Sequence, residues 1–266
     1  MNEHDTRLIE VFLEPVRKCS TYKPAFGQGN SDGLTVADFQ SLYGQDQFYA
    51  WIGLDDPLLY AAHKAAGGLT SVYRQVGVGS ERLLRAIMMD ALNLSGEQME
   101  WHYNYAKADK KQGVHILDAK IVLADLSPQP KQRFEVWLKS ALKQVAPSAT
   151  RRRQPTGAAF EIRQGYKSAD SKRQNADLRF GIRAYQAYLL PVFAILSSQV
   201  SDPVIRRYRS DGMLVLTGVP DGDSTISTFA FFKDVVGYDL AAFFERNSGH
   251  LKREVRAVIK GLLTPE

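Results

Sequence analysis

Apolar residues in the first hundred positions recur at the three- and four-residue spacing of amphipathic helices. Thr35 is predicted to cap one helix, and Asp56-Pro57 to begin another that ends at Gly67-Gly68. A further helix is predicted to begin at Ser80-Glu81, because its apolar residues share one face: Leu83, Leu84, Ile87, Met88 and Ala91. The pattern therefore predicts a helical region at the N-terminal end of the chain.

Beyond Trp101 the pattern changes to alternation with many aromatic and β-branched residues, which is typical of strands. The segment 101–126 predicts two strands joined by a polar turn at Asp109 to Gly113. The pattern then predicts an amphipathic helix over 131–145 and a strand over 158–167. It further predicts a helix bent at Pro191 over 176–198, a short strand over 211–219 and a helix-rich tail over 224–263.

This order of elements predicts an α/β (α+β) fold with a small mixed β-sheet flanked by helices. Residues 1–79 are expected to form an added N-terminal helical region. Residues 80–266 are expected to form the core together with the C-terminal helices, and the two parts to make one compact unit.

The composition narrows the class of protein. With 266 residues, 44% of them hydrophobic, the chain can bury a sizeable core. Its single cysteine, Cys19, excludes an intrachain disulfide framework and a cysteine-based zinc site. No apolar run approaches the ~20 residues of a membrane-spanning helix, and the acidic N-terminal residues lack the features of a signal peptide. A soluble cytoplasmic protein is therefore expected.

Positive charge is concentrated in one segment. The net charge is +5, yet residues 151–183 alone contain nine Lys or Arg residues against three acids, Glu161, Asp170 and Asp177. A basic surface of this kind is typical of proteins that bind the phosphates of nucleic acids. The segment also contains a predicted strand with a single carboxylate, Glu161, and an acid within a positive surface indicates a metal-dependent nuclease.

Two acids lie in otherwise apolar predicted strands, Asp118 in HILDAKIV and Glu161 in FEIRQGYK. A small sheet would place these strands side by side. On alternating geometry, Glu161 shares a face with Arg163, Gly165 and Lys167. Two carboxylates on adjacent strands can share a divalent cation that stabilises the charge developing on a cleaved phosphate, and hard oxygen ligands favour Mg²⁺.

The same acids give the chain a resemblance to a known family. An acid on one strand followed by an acid-x-basic element on the next is similar to the PD-(D/E)XK nuclease core. The run FEIRQGYKSADSKRQNAD, followed by a helix, resembles type II restriction endonucleases, and YRQVGVGSERLLRAI resembles the helix that precedes that core. The likeness covers Glu81 to Gly218. It implies a restriction-endonuclease-like core, with Asp118 and Glu161 as metal ligands and Glu81 as an accessory ligand.

The chain departs from this family's pattern in two ways. No proline precedes Asp118, and Arg163 stands where the catalytic lysine is expected. Arginine stays protonated, so it cannot be a general base, although it can stabilise charge. Three cations are alternatives for that role: Arg163, Lys167, and Lys120, which forms an acid-x-Lys element with Asp118 if Glu81 supplies the first acid.

The basic segment offers side chains for contacts with DNA. The loop that begins at Ser168 is predicted to recognise bases, because Arg and Lys pair with guanine, and Asn and Gln with adenine. The run Arg151–Arg153 is predicted to contact phosphates. The predicted DNA-binding residues are Arg151, Arg152, Arg153, Ser168, Asp170, Lys172, Arg173, Gln174 and Asn175.

The resemblance implies an activity and partners. A type II restriction endonuclease is a sequence-specific, Mg²⁺-dependent enzyme that hydrolyses double-stranded DNA with a metal-activated water. A C2 homodimer matches its palindromic target, and a DNA methyltransferase accompanies it. Two alternatives stay open: a sequence-specific DNA-binding protein without catalysis, and a structure-specific repair or recombination nuclease.

Overall fold

The computed structural model describes residues 2–26, 32–106, 112–145, 154–165 and 171–264 of the chain. Most of these residues are helical. The helices are α1 (Glu3–Arg17), α2 (Val36–Gly44), α3 (Gln47–Trp51), α4 (Pro57–Leu92), α5 (Gly96–Met99), α6 (Pro128–Val145), α7 (Ser171–Gln186), α8 (Asp202–Ser210), α9 (Thr228–Ala230) and α10 (Leu240–Leu263), with a π-helical turn at Phe231–Val236. Within these ranges no helix is long and apolar enough to cross a membrane.

Helix α4 is longer than the sequence predicts. The predicted end at Gly67-Gly68 and the predicted new start at Ser80-Glu81 are both wrong, because the helix continues through them. The glycines permit close packing instead of ending the helix. A Cβ atom at Gly68 would lie 2.5 Å from Leu262, and one at Gly79 would lie 2.3 Å from the carbonyl oxygen of Phe12.

The strands are β1 (Trp101–Ala106), β2 (Gln112–Leu117), β3 (Ala119–Val122), β4 (Gly157–Arg163), β5 (Leu189–Ile195) and β6 (Leu214–Leu216). Strands β3 to β6 form a four-stranded sheet in that order, and β1 and β2 pair as a separate antiparallel hairpin. β3 is antiparallel to β4, whereas β4, β5 and β6 are parallel and are connected through α7 and α8. The predicted mixed sheet flanked by helices is confirmed.

The alternating segment 101–126 forms three strands rather than the predicted two. Asp118 occupies a bend between the end of β2 and the start of β3. It therefore lies at the junction of the hairpin and the four-stranded sheet, and not inside a strand as predicted. Of the predicted polar turn, residues 109–111 lie outside the described residues.

The segment 176–198 is also different from the prediction of one bent helix. Helix α7 ends at Gln186, and β5 follows as a central strand in which every residue is buried. An apolar run buried on both faces has no alternation, so periodicity cannot distinguish it from a buried helix. Pro191 is tolerated because β6 pairs only with Val192 to Ala194, which leaves Pro191 with β4 as its single neighbouring strand.

The two faces of the sheet pack against different helices. On one face, side chains of β4, β5 and β6 form an apolar cluster with α7 and α8; it includes Ala159, Phe193, Ile195, Val215, Phe180, Val204 and Tyr208. On the other face, the ring centroid of Phe160 lies 6.4 Å from that of Trp137 and 5.4 Å from that of Phe231. Positions 159, 161 and 163 alternate onto the first face, so the Glu161 side chain lies on the face that α7 covers.

The chain divides into two compact units, Met1–Gly79 with Arg246–Glu266, and Ser80–Glu245. The sheet and all of its strands belong to the second unit. The first unit has an apolar core of its own, in which Cys19, Val72, Val258 and Leu262 are buried together. Residues 246–266 therefore group with the N-terminal helices, whereas the sequence interpretation placed 80–266 together.

Replacing Gly157 by alanine is expected to destabilise the protein by about 2–3 kcal/mol, because the strand pair β3–β4 leaves no room for a side chain there. A Cβ atom at Gly157 would lie 2.2 Å from the carbonyl oxygen of Ile121 and 2.9 Å from the Cα of Val122, and backbone atoms cannot turn aside. Urea unfolding of the purified variant measures the loss.

Gly77→Ala is the control for this prediction. Gly77 lies within α4 and nothing lies within 4 Å of its added Cβ atom. Alanine is expected to stabilise the helix by about 0.8–1 kcal/mol. Equal stabilities for the two variants would contradict the packing of β3 against β4.

Candidate active site

Asp118 and Glu161 lie opposite each other where β3 meets β4. Ala119 is in register with Phe160. In an antiparallel pair this register places Asp118 across from Glu161. The Asp118 carboxylate accepts a hydrogen bond from the backbone N–H of Ile162 at 2.6 Å, which ties it to β4. The structure thus brings together the two acids that the sequence predicts to be neighbours.

The Asp118 carboxyl group is in an unfavourable place for a negative charge. Burial, followed by the negative charges of Glu161 and Glu81, raises its pKa well above the ordinary value of 3.8. The hydrogen bond from Ile162 and the positive charge of Arg163 lower this pKa, but they do not outweigh the other effects. A carboxyl group with a perturbed pKa beside two other acids is typical of a functional site.

Two residues of α4 act on the Asp118 bend. Glu81, the accessory ligand that the resemblance implies, is partly buried and lies close enough to raise the pKa of Asp118. Arg85, one helical turn further along, donates from Nη1 to the Asp118 carbonyl at 3.2 Å and from Nη2 to the Gly96 carbonyl at 2.9 Å. Arg85 therefore fixes the backbone of the bend. Sequence reasoning missed it, because the only signal was its four-residue spacing from Glu81.

Lys120 projects from the same face of the sheet as the two acids. Side chains alternate along β3, so Asp118, Lys120 and Val122 share a face. Val122 packs against the apolar cluster that α7 covers, and that cluster lies on the face of Glu161. Lys120 itself is partly buried. The face therefore has two carboxylates and one ammonium group within a few positions of each other.

Arg163 is buried and engaged by acids. Its side chain is 6% exposed, and its guanidinium forms ion pairs with Asp177 at 2.6 Å and with Glu161 at 3.2 Å. Burial alone lowers the pKa of Arg163, but the hydrogen bonds and charges of Asp177 and Glu161 outweigh it and raise the pKa above its ordinary value. Asp177 is 5% exposed and accepts a hydrogen bond from Tyr208. Sequence reasoning missed Asp177 and Tyr208, since nothing local links them to Arg163.

Tyr103 lies close to Glu161 and to two arginines of α7. Burial, followed by the charge of Glu161, raises the pKa of Tyr103 to about 12, although Arg179 and Arg183 lower it. Tyr103 packs against the same apolar cluster as α7. Arg179 and Arg183 are four residues apart and exposed, so they share one face of that helix. Glu161 therefore has a hydroxyl group beside it, and that hydroxyl group lies near exposed positive charge.

The other predicted site residues have different outcomes. Lys167, Arg151, Arg152, Arg153, Ser168 and Asp170 lie outside the described residues. The prediction of a loop from Ser168 up to a helix at 176 is wrong from Ser171 onward, because α7 begins there. Lys172, Arg173 and Gln174 lie in its first turn, and Asn175 is exposed on the next. β4 ends at Arg163, so the alternation predicted to reach Gly165 and Lys167 stops there.

The carboxylates fit the way in which Mg²⁺ binds to proteins. Within the parts of the chain that the structure describes, no group of three or more His, Cys, Asp or Glu side chains is arranged to hold a metal ion. Mg²⁺ does not need such a group, because it commonly binds through one or two carboxylates and keeps water or phosphate oxygens as its other ligands. Asp118 and Glu161 offer two carboxylates, and a divalent cation would favour the charged form of Asp118, which burial and the charges of Glu161 and Glu81 disfavour.

These features describe a site with two acids, a lysine on the same face and exposed arginines nearby. Such a combination can bind a divalent cation and a phosphate group together. Comparisons with known proteins assign no family to it: no family model, curated protein or solved structure matches the chain.

Proposed function

We propose that the protein is a Mg²⁺-dependent endonuclease that hydrolyses phosphodiester bonds of double-stranded DNA at specific sequences. The observation that carries this proposal is the pair of carboxylates, Asp118 and Glu161, facing each other across the β3–β4 register on the same face as Lys120. Two acids and a lysine on one face supply both a cation site and a positive charge for the scissile phosphate.

The order of the elements supports the resemblance to PD-(D/E)XK nucleases. α4 contains Glu81 and comes first, β3 and β4 are antiparallel, and β4 leads through α7 to the parallel strand β5. The resemblance implies one acid on a strand and a second acid on the next strand. Glu161 lies within β4, whereas Asp118 lies at the bend that leads into β3. We therefore propose a restriction-endonuclease-like core within Ser80–Glu245.

Each residue has a separate task in the proposed reaction. Asp118 and Glu161 hold the cation, and Glu81 acts as an accessory group. The ion, when bound, supplies the positive charge that activates the attacking water and stabilises the phosphate as it is cleaved. Lys120 donates to a phosphate oxygen and stabilises the same negative charge. We prefer Lys120 to Arg163 for this task, because Arg163 is buried and already engaged by Asp177 and Glu161.

The proposed DNA contacts lie on the exposed face of α7. Asn175, Arg179 and Arg183 are exposed at spacings of four residues, on the helix that covers the Glu161 face. Arginine contacts phosphates and guanine, and asparagine pairs with adenine. On the family resemblance we also propose a homodimer, a cytoplasmic location, and a DNA methyltransferase that protects the same target sequence.

Cleavage of a long, unmethylated DNA tests the proposal. The wild-type protein is expected to give discrete fragments with Mg²⁺ and none with EDTA. Glu161→Ala is expected to bind the same DNA but to leave it intact, because a cation ligand is lost while the basic surface is unchanged. Gel electrophoresis of the products and sequencing of the fragment ends provide the measurement.

The alternatives give other results in the same assay. Salt-sensitive DNA binding without cleavage under any divalent metal would support a non-catalytic DNA-binding protein. Cleavage restricted to branched or damaged DNA would support a structure-specific nuclease. Cleavage that persists after Glu161→Ala would contradict the assignment of this carboxylate.

A further inference from the structure

We propose that a buried network of Arg163, Asp177 and Tyr208 positions the Glu161 carboxylate, so that Arg163 is a positioning residue and not the catalytic cation. The inference rests on the proposed function, because that function assigns Glu161 to the reacting site. The three residues come from β4, α7 and α8, so the network links Glu161 to both helices that cover this face of the sheet.

The guanidinium of Arg163 is held on one side by Asp177. Its Nη1 donates to Asp177 Oδ2 at 3.0 Å, and its Nη2 donates to Asp177 Oδ1 at 2.6 Å. The Tyr208 hydroxyl donates to the same Asp177 Oδ2. Two nitrogen contacts and a tyrosine fix both members of the ion pair, because a two-point contact permits only one orientation of the guanidinium plane.

On its other side the guanidinium contacts Glu161. Nη2 of Arg163 donates to Glu161 Oε1 at 3.2 Å. This nitrogen therefore lies between two carboxylates, one buried and one at the site. The hydrogen bonds run without interruption from α8 through α7 to Glu161, so the direction of the Glu161 carboxylate depends on residues that the reacting DNA does not contact.

The burial of this network indicates a role beyond stability. Arg163 and Asp177 are 6% and 5% exposed, and Tyr208 is 1% exposed. Removing charges from water is unfavourable, and apolar side chains of similar volume are often as stable in such positions. The surroundings are already apolar: the ring centroid of Phe193 lies 4.8 Å from that of Tyr208, and Ile195 belongs to the same cluster. The presence of the Arg163–Asp177 ion pair in this apolar cluster is explained if the pair holds the Glu161 carboxylate in place.

The geometry also accounts for an arginine where the family resemblance predicts a lysine. The guanidinium carbon of Arg163 lies 5.1 Å from the ring centroid of Phe193, in the range of a cation–π contact. A planar guanidinium can stack on this ring while it contacts Asp177 with two nitrogens and Glu161 with one of them. A lysine ammonium is a single point charge without this fork. The charge near the phosphate then comes from Lys120 on the neighbouring strand.

Three variants disturb the network in graded steps. Arg163→Lys keeps the charge but loses the planar fork, Asp177→Asn removes the partner charge, and Tyr208→Phe removes one hydroxyl group. We expect Arg163→Lys to lower kcat about 10- to 100-fold, as loss of a partner to a metal ligand does, with KM for DNA unchanged. Tyr208→Phe is expected to have a smaller effect in the same direction and is the variant best able to fold.

Two further measurements do not depend on cleavage. Calorimetric titration with Mg²⁺ in the absence of DNA is expected to show an affinity about 10- to 100-fold lower in Arg163→Lys. Crystal structures of the variants are expected to show the Glu161 carboxylate displaced by more than about 0.5 Å, the tolerance of a preorganised site. A network that is only structural would change neither quantity in a folded variant.

Asp5→Asn is the matched control. Asp5 is also a buried aspartate, 3% exposed, and Arg246 holds it through Nε at 2.6 Å and Nη2 at 2.7 Å in the other unit. Its replacement is expected to lower stability without changing kcat, Mg²⁺ affinity or the position of Glu161. Because Arg246 is 44% exposed, the control separates the loss of an ion pair to a buried aspartate from the loss of positioning.

The outcomes distinguish this inference from the proposed function. If the wild-type protein cleaves DNA, but folded variants keep kcat, Mg²⁺ affinity and the Glu161 position, the positioning role is overturned. If the wild type neither cleaves DNA nor binds Mg²⁺, the proposed function fails. Even then, a displaced Glu161 in the crystal structures supports the positioning role, and an undisplaced one overturns it.

Discussion

Asp118→Asn is expected to abolish DNA cleavage and, at the same time, to make the metal-free protein more stable. Removing a cation ligand costs several kcal/mol of transition-state stabilisation, so a loss of about 10³-fold in kcat is expected. The asparagine amide oxygen can still accept the hydrogen bond that Ile162 donates at 2.6 Å. The substitution therefore removes the charge of Asp118 and little else.

The gain in stability follows from the direction of the pKa shift. Burial and the charges of Glu161 and Glu81 raise the pKa of Asp118 above 3.8 in the folded protein. The folded state then binds a proton more tightly than the unfolded state. The contribution of this group to stability is complete below pH 3.8 and is lost as the pH rises through the folded-state pKa. A tenfold change in proton affinity corresponds to about 1.4 kcal/mol.

Urea unfolding in EDTA between about pH 4 and about pH 8 measures this effect. The range begins near the ordinary pKa of a carboxyl group and covers the interval over which a group with a raised pKa loses its proton. The stability advantage of Asp118→Asn over wild type is expected to be small at the acidic end and to grow with pH. Adding Mg²⁺ is expected to stabilise the wild type more than the variant, because a ligand that binds only the folded state shifts the equilibrium. A variant less stable than wild type at every pH would contradict the assignment of Asp118 as a charge that burial and repulsion disfavour.

Lys120→Ala is expected to lower kcat by about 10²–10³-fold, the loss typical of removing one preorganised group that stabilises a developing charge. Lys120 is on the same face as Asp118 and Glu161. Its replacement leaves in place both carboxylates that are proposed to bind the cation. Mg²⁺ affinity in the absence of DNA should therefore not decrease, and DNA binding should change little. Single-turnover cleavage and calorimetry measure the two quantities separately.

Lys120→Arg distinguishes two roles for the lysine. Arginine keeps the positive charge but stays protonated. Substantial activity in Lys120→Arg indicates that Lys120 stabilises charge, whereas a loss as large as that of the alanine variant indicates proton transfer. Lys139→Ala is the control, since Lys139 is an exposed lysine of α6 whose ion pair is with Glu135. A similar loss of activity in the control would contradict a specific role for Lys120.

Local features of the fold could be predicted from the sequence. Thr35 caps α2 as predicted, in a capping box with Asp38, and α4 begins at the predicted Asp56-Pro57. These starts depend on hydrogen bonds between residues two or three positions apart, such as that from the Leu58 N–H to Asp56 Oδ1 at 2.7 Å. The presence of a small mixed sheet was also predictable, because the segment 101–126 alternates and is rich in β-branched residues, although the central strand β5 has no alternation and was missed.

The candidate site could be predicted only in part. Asp118 and Glu161 were found because a carboxylate is unusual within an apolar strand-like run. Their partners could not be found in this way. Asp177 and Tyr208 lie 14 and 45 positions beyond Arg163, and both look like ordinary helix residues until the fold brings them together.

The sequence by itself determined where α2 and α4 begin, which residues are apolar, and which two acids stand in apolar surroundings, because these properties depend on neighbours along the chain. Only the tertiary structure decided that Leu189–Ile195 is a central strand and that α4 continues through its glycines. It also decided that Arg163 is buried against Asp177 while Lys120 shares the face of Glu161. These outcomes depend on pairing and packing between distant segments. Periodicity and local propensity do not contain that information.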